Sequence, residues 1–160
     1  MTAAPKIDVN FVKPFIEGTV ETLKVQCEMP IKVGRPYPKT DAKALKVDIA
    51  GLIGLTSTSF NGSIALCFRK QTFLNIMEAM LGEAFEEINE DVEDGAGELL
   101  NIIFGHAKRI LNDKGYAIEK AIPSIISGDN INVQHLGKLP SVIVPFNSDA
   151  GVFYIEIALD

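Results

Sequence analysis

The longest regular alternation of apolar and polar residues lies between Asp91 and Leu111. Apolar residues recur there at steps of three and four, which is typical of an amphipathic helix with one buried face. Asn89 is a suitable N-cap, acidic residues occupy the first turn, and Gly115 is a suitable C-terminal stop. The pattern predicts a helix of about 24 residues, roughly 36 Å long. Its predicted buried stripe comprises Ala96, Leu99, Leu100, Ile103, Ala107 and Ile110.

The opposite face of this helix carries a carboxylate and a carboxamide side by side. Glu98 and Asn101 are three residues apart, so their Cβ atoms are expected about 5–6 Å from each other. Asp94 lies one turn before this pair and Gly105 one turn after it. Polar groups held on one rigid helix can reach into another molecule, although a solvated helix face would show the same pattern.

Glycine is unusually frequent around the polar pair. Gly95, Gly97 and Gly105 each cost up to about 1 kcal/mol relative to alanine in a helix interior. A helix that must admit a partner's backbone would benefit from them. On periodicity alone, the alternative that the glycines accommodate a neighbouring helix of the same chain is favoured.

The remaining patterns predict two more helices and five or six mainly antiparallel strands. One helix is expected from Phe11 to about residue 28, with Asn10 as its N-cap and Pro14 near its start. A second helix is expected over residues 71–81, with Gly82 as its C-cap. The Pro- and Gly-rich segment 29–43 is expected to be a linker or an edge excursion. The predicted strands cover residues 45–56, 60–68, 117–127 (with Pro123 at an edge or bulge), 132–135, 141–146 and 152–159, the last two forming a hairpin.

These elements predict an α+β fold in a single domain covering residues 1–160. Its mainly antiparallel sheet is packed with about three α-helices, and the long central helix carries the site. Residues 1–8 are expected to be frayed. The chain has 160 residues, 47% of them hydrophobic and 22% charged, as expected for one soluble globular domain.

Composition narrows the cellular setting and the class of partner. No apolar run approaches the roughly 18–20 residues that span a bilayer, and the first residues do not resemble a signal peptide. A cytoplasmic location and no membrane partner are therefore expected. Cys27 and Cys67 lack metal-type spacing and are interpreted as core residues without a disulfide.

The net charge of −6 is concentrated in one segment. Residues 83–98 contain eight acidic and no basic residues, so the rest of the chain sums to +2 (−6 + 8). This balance argues against a nucleic-acid partner. Acidic residues in the first helical turn complement the helix dipole, but Glu98 lies more than two turns inside the helix.

The order Asp94-x-x-x-Glu98-x-x-Asn101, followed further along the chain by Pro123, resembles the signature of the CheC/CheX/FliY phosphatases of bacterial chemotaxis. Other segments, in the same order as in that family, resemble its single-motif CheX branch. They are residues 10–17, 51–55, 62–66, 107–109 and 144–146. The resemblance extends over nearly the whole chain.

The resemblance implies a phosphatase that removes the aspartyl phosphate from a phosphorylated CheY-like response-regulator receiver domain and thereby terminates the chemotaxis signal. Glu98 and Asn101 would be its catalytic residues, with Glu98 docking on the receiver's lysine and Asn101 positioning the attacking water. The receiver would supply Mg²⁺, so that the chain needs no cofactor or metal of its own. Asp94, Gly97 and Gly105 are expected on the partner-binding face, where Asp94 could equally be a solvated acid. The resemblance also implies a homodimer whose sheets join through exchanged or paired edge strands.

Several alternatives remain open from the sequence. A non-catalytic receiver-binding or flagellar-switch-type scaffold would have the same fold, although the intact Glu98/Asn101 pair favours activity. Asp94 and Glu98 could hold Mg²⁺, but two carboxylates are too few for a dedicated site. His106 is interpreted as a packed or partly exposed residue, and no nucleophile or phosphate-loop motif occurs.

Overall fold

The computed structural model describes residues 9–39, 46–58, 60–120, 122–131 and 141–159. Within these residues the chain forms three α-helices and eight strands. The helices are α1 (Val9–Cys27), α2 (Lys70–Leu81) and α3 (Glu90–Asp113). The strands are β1 (Ile31–Val33), β2 (Tyr37–Pro38), β3 (Val47–Thr56), β4 (Asn61–Phe68), β5 (Glu119–Lys120), β6 (Ser124–Ile131), β7 (Val142–Ser148) and β8 (Gly151–Leu159).

The eight strands form one antiparallel sheet in the order β1-β7-β8-β4-β3-β5. Strand β2 also pairs with β7, and β6 also pairs with β3. Strands β4 and β8 lie at the centre, where alternate side chains point to opposite faces of the sheet. On one of these faces, residues such as Ile64, Leu66 and Ile155 join the main core with the three helices.

All three helices bury an apolar stripe in this main core. α1 contributes Phe11, Phe15 and Leu23, whose spacing of four and eight residues places them on one side of the helix. A Cβ added at Gly18 would lie 3.0 Å from the carbonyl oxygen of Ile103, so glycine allows α1 to approach α3 closely. No helix of the described residues is long and apolar enough to cross a membrane.

A smaller buried cluster occupies the other face of the sheet. It contains Val47, Ala50, Ala65 and Cys67, with Tyr154 packed against it. Burial raises the pKa of the Cys67 thiol to about 12, which keeps it protonated and unreactive at neutral pH. Both cysteines are buried free thiols, as the sequence predicted.

Much of the predicted fold is confirmed. The α+β class, the antiparallel sheet and the long helix that carries the predicted site are all present. Gly82 closes α2 in a left-handed conformation, with φ +73°, and its N–H binds the carbonyl oxygen of Glu78. The β7–β8 hairpin also forms, and the segment expected to be a linker or an edge excursion supplies the short strands β1 and β2 at β7.

Three details of the predicted fold are wrong. Asn10 is not an N-cap, because it lies inside α1, which already includes Val9. The strand predicted over residues 117–127 is divided into β5 and β6, with Pro123 between them, because proline cannot donate a ladder hydrogen bond. The sheet also has more strands than the five or six expected. Residues 1–8 and the strand predicted at 132–135 lie outside the described residues.

Candidate functional site

Local interactions hold both ends of α3. Asn89 is extended, and its side-chain oxygen accepts a 3.1 Å hydrogen bond from the backbone N–H of Val92, which makes Asn89 the predicted N-cap. At the other end, Gly115 adopts φ +91°, and its N–H binds the carbonyl oxygen of Asn112. The Asn112 side chain bonds both backbone groups of Ile118. The helix is therefore fixed at both ends by its own sequence.

The buried face of α3 contains the predicted stripe except Ile110, and Val92 and Phe104 are buried in addition. Leu99, Leu100 and Ile103 are fully buried, as are Ala96 and Ala107. Ile110 is only half-buried, and Leu111 is buried in its place. The helix advances by 3.6 residues per turn, so Leu111, about three turns after the buried Leu100, faces the core better than Ile110 does.

Two glycines determine how closely α3 is seated. A Cβ on Gly51 of β3 would lie 3.2 Å from the Cδ2 atom of Leu100, so the strand needs a small residue below the helix. A Cβ on Gly95 would overlap the sulfur of Met77 in α2. Gly95 therefore accommodates a neighbouring helix of the same chain, which is the alternative that periodicity favoured.

The other two predicted glycines do not have this explanation. A Cβ on Gly97 would make an ordinary 3.7 Å contact with the Cδ1 atom of Ile125. A Cβ on Gly105 would meet nothing within 4 Å, and Gly105 itself is exposed. Alanine would fit at both positions and would favour the helix. The packing within the described chain therefore does not require either glycine.

The predicted site residues lie along one side of α3. Asp94, Glu98 and Gly105 are exposed, whereas Asn101 is half-buried. At 100° per residue, Asn101 lies about 60° around the helix from Glu98, on the side that leads towards Gly97. Within the part of the chain that the structure describes, the carboxylates of Asp94 and Glu98 form no hydrogen bond or ion pair. They are available to another molecule.

Strand β6 runs beside this face of α3, which the sequence did not predict. Ser127 Oγ donates a 2.6 Å hydrogen bond to Glu93 Oε1, and Ile125 lies next to Gly97. Both contacts join β6 to α3 on the N-terminal side of Asn101. No local pattern in the sequence identifies Ser127, because its partner is 34 positions away.

The two carboxylates of the predicted site, Asp94 and Glu98, are exposed on the surface of α3. A groove of about 460 Å³ between α1 and β1, lined by Val20, Lys24, Glu28, Pro30 and Ile31, contains none of the predicted site residues. Asp94 and Glu98 are not joined by a third ligand, because no group of three or more His, Cys, Asp or Glu residues that could hold a metal ion occurs among the described residues. His106 is half-buried, and its ring lies beside Gly18 of α1.

An exposed carboxylate and a half-buried amide therefore lie together on one helix, above an antiparallel sheet. Residues 49–147 match the family described as chemotaxis phosphatase CheX. A curated relative, the CheY-P phosphatase CheX of Thermotoga maritima, is 25% identical over 138 residues, which cover 84% of this chain and 88% of the relative.

Solved structures agree with this match. The CheC-like superfamily protein from Shewanella sp. PV-4 is 38% identical, with a TM-score of 0.90 over 96% of this chain and 99% of that chain. The CheX–CheY–BeF₃–Mg²⁺ complex from Borrelia burgdorferi contains a chain 25% identical to this one, with a TM-score of 0.78 over 96% and 99% of the two chains. The chain belongs to the CheX family of chemotaxis phosphatases.

Proposed function

We propose that this chain hydrolyses the aspartyl phosphate of a phosphorylated CheY-like receiver domain and so terminates a chemotaxis signal. The observation that carries the proposal is the placement of Glu98 and Asn101 together on the outward side of α3, where no other described residue binds the Glu98 carboxylate. The T. maritima relative is named a CheY-P phosphatase, and the B. burgdorferi relative was crystallised with CheY. Both relatives support a receiver as the partner.

Asn101 positions the attacking water in this proposal. Hydrolysis of an acyl phosphate depends mainly on placing the water in line with the leaving oxygen and on stabilising charge. A carboxamide both donates and accepts hydrogen bonds, so it can orient water without being a strong base. The half-buried position of Asn101 on a capped helix supports this role, since a positioning group must itself be held in place.

Glu98 docks the helix on the receiver. A receiver's active site contains a lysine and Mg²⁺ beside the phosphorylated aspartate, and the exposed Glu98 carboxylate can pair with that lysine. The metal therefore belongs to the receiver, and the B. burgdorferi complex, which contains Mg²⁺ together with CheY, supports this assignment. Asp94, one turn away, forms the rim of the contact.

At Gly97 and Gly105 no side chain protrudes from this contact surface. Since neither glycine is required by packing within the described chain, we assign both to the close approach of the receiver. The acidic residues at the start of α3 attract a receiver surface with Lys or Arg around its phosphorylation pocket.

The proposed assembly is a homodimer joined at sheet edges. β6 is mostly exposed, and among the described strands it pairs only with β3. An edge of this kind presents free backbone groups to a second strand. Light scattering at micromolar concentration should give twice the chain mass of 17.4 kDa. A mass of one chain at every accessible concentration would exclude the dimer.

The direct experiment follows acyl-phosphate loss from phosphorylated receivers of the source organism with and without this chain. At least one receiver should lose its phosphate faster when the chain is present. If the chain binds a phosphorylated receiver without accelerating the loss from any of them, the non-catalytic scaffold becomes the better description.

A further inference from the structure

The side of α3 that carries Asn101 continues past it to a lysine. Asp94, Asn101 and Lys108 follow one another at steps of seven residues, so each lies within about 20° of the one before it around the helix. Seven residues rise about 10.5 Å, which places the acid and the base at equal distances on either side of the amide. The neighbouring Arg109 lies about 80° away from the direction of Asn101.

The burial of these positions agrees with their place on the helix. Asn101 and Lys108 are both half-buried. Leu100 and Ala107, which directly precede them, are fully buried. Lys108 therefore lies at the border between core and surface, where a lysine buries its aliphatic stem and keeps its ammonium group in water.

The ammonium group of Lys108 is available to another molecule. Within the part of the chain that the structure describes, its side chain forms no ion pair or hydrogen bond. Side chains of a helix lean towards its N-terminus, so Lys108 leans towards Asn101. Gly105 lies between them, about one turn from each, and a Cβ added there would meet nothing within 4 Å. A molecule that covers Asn101 and Gly105 therefore reaches Lys108.

A role in stabilising the helix explains Lys108 less well. Cations complement the helix dipole within the last turn. α3 ends at Asp113 and has no basic residue in its last turn, so Lys108 lies too far inside the helix for this effect. Its continuity with Asn101 instead favours the partner that Asn101 faces.

The chemistry of a receiver supplies an anion for this lysine. Mg²⁺ is held in proteins by one or two carboxylates together with phosphate oxygens. A receiver that binds Mg²⁺ beside its phosphorylated aspartate therefore has carboxylates there, in addition to the lysine assigned to Glu98. A partner with both charges matches a helix face that is acidic at Asp94 and Glu98 and basic at Lys108.

We propose that Lys108 is a docking residue that pairs with a carboxylate beside the receiver's phosphorylation site. This inference rests on the proposed function for its partner. Glu98 binds one end of the receiver's pocket and Lys108 the other, with the water-positioning amide of Asn101 between them. The reverse direction of the receiver along α3 would bring like charges together, so the two charges select one orientation.

The test measures receiver binding at low and high salt. A CheY-like receiver loaded with beryllofluoride and Mg²⁺ is titrated with the wild-type chain and with Lys108→Gln, Lys108→Glu and Lys108→Arg. Arg35→Glu is the control, because it changes the net charge by the same amount as Lys108→Glu. Arg35 is exposed between β1 and β2, at the opposite end of the sheet from β5. Thermal melts show that each variant is folded.

At low salt, Lys108→Gln should weaken receiver binding about two- to fivefold, the range of an exposed ion pair. Lys108→Glu should weaken it by about tenfold or more, because it places like charges together. Lys108→Arg and Arg35→Glu should bind like wild type. The losses should shrink in about 1 M NaCl, which screens charges beyond about 3 Å, whereas a loss of packing would not respond to salt. For Lys108→Gln, kcat at saturating receiver should stay near wild type, since docking acts on binding.

Wild-type Kd values for folded Lys108→Gln and Lys108→Glu would overturn the inference. A loss that Arg35→Glu shares, or one that salt does not reduce, would also overturn it. Wild-type binding without hydrolysis would contradict the phosphatase proposal but leave the docking role intact, provided that Lys108→Glu still weakens binding. Absence of wild-type binding to every receiver of the source organism would contradict both.

Discussion

Gly95 of α3 lies against the sulfur of Met77 in α2 with no room for a Cβ atom, whereas Gly105, ten residues along the same helix, faces open space. The two glycines therefore serve different purposes. Gly95 is a packing residue, because Met77 is fully buried and cannot move into solvent. Gly105 has no such constraint.

Alanine substitution should separate these purposes. Gly105→Ala should raise the free energy of unfolding by up to about 1 kcal/mol, because alanine favours the helix and meets nothing. It should also weaken receiver binding if the partner approaches closely. Gly95→Ala should lower stability by about 1–3 kcal/mol through overpacking at Met77. Chemical denaturation and receiver titration of both variants measure these effects. Wild-type receiver affinity in Gly105→Ala would remove Gly105 from the contact surface.

Adjacent residues on α3 should respond to truncation in different ways. Leu99 is fully buried in the main core, while Glu98 next to it is exposed. Leu99→Ala should cost about 2–5 kcal/mol of stability through lost burial and a residual cavity. Glu98→Ala should leave the thermal melt nearly unchanged and weaken receiver binding. A large loss of stability in Glu98→Ala would show that this carboxylate supports the fold.

Acid should destabilise the protein in part through Asp48. Its carboxylate accepts a 2.7 Å hydrogen bond from the N–H of Lys70 at the start of α2 and a 3.1 Å bond from the N–H of Asn130. The Lys70 bond is the main cause that lowers the pKa of Asp48 below its ordinary value of 3.8. Since the folded pKa is the lower one, the stabilisation is fully present above the ordinary value and is lost as pH falls through the folded pKa.

Asp48→Asn should therefore reduce stability at pH 7 by about 1 kcal/mol, because a carboxamide has a single acceptor oxygen and loses one of the two backbone hydrogen bonds. It should also make the stability less dependent on pH below about 4. Asp149→Asn, at an exposed turn position, serves as the charge-matched control and should have little effect. Denaturant unfolding of the three proteins between pH 3 and pH 7 provides the comparison. Parallel curves for Asp48→Asn and wild type would contradict the contribution of Asp48 ionisation to stability.

Association with the receiver should slow as salt is added. The acidic residues at the start of α3 act on the association rate, and about 0.1 M salt screens charges more than about 10 Å apart. Stopped-flow association across an NaCl titration should show this decrease, and Asp94→Asn should have a shallower slope than Asp149→Asn. A rate independent of NaCl would contradict this placement of the acidic residues.

The local sequence pattern was sufficient to predict helix ends and lengths that depend on neighbouring residues. α3 has its predicted cap at Asn89 and its predicted length, because a long amphipathic period and a capping side chain act within one segment. Gly82 likewise ends α2, because it adopts the left-handed conformation that favours glycine. The pair Glu98 and Asn101 was located by the same period together with a family resemblance.

The remaining features depend on distant parts of the chain. β1 has three residues and forms only by pairing with β7, so that Ile31 lies opposite Ser148. A segment this short has no period to detect. The cap on α2 comes from Asp48 of β3 and not from the adjacent Arg69. The contact between Ser127 and Glu93 could not be predicted for the same reason.

The central claim is that Asn101 positions the attacking water, and phosphatase kinetics of Asn101→Ala test it most directly. Water placement matters chiefly in the transition state, so kcat should fall by about 10²-fold or more, while affinity for a beryllofluoride-loaded receiver stays near wild type. A thermal melt should confirm that the variant is folded. A folded Asn101→Ala variant that retains wild-type kcat would contradict the claim.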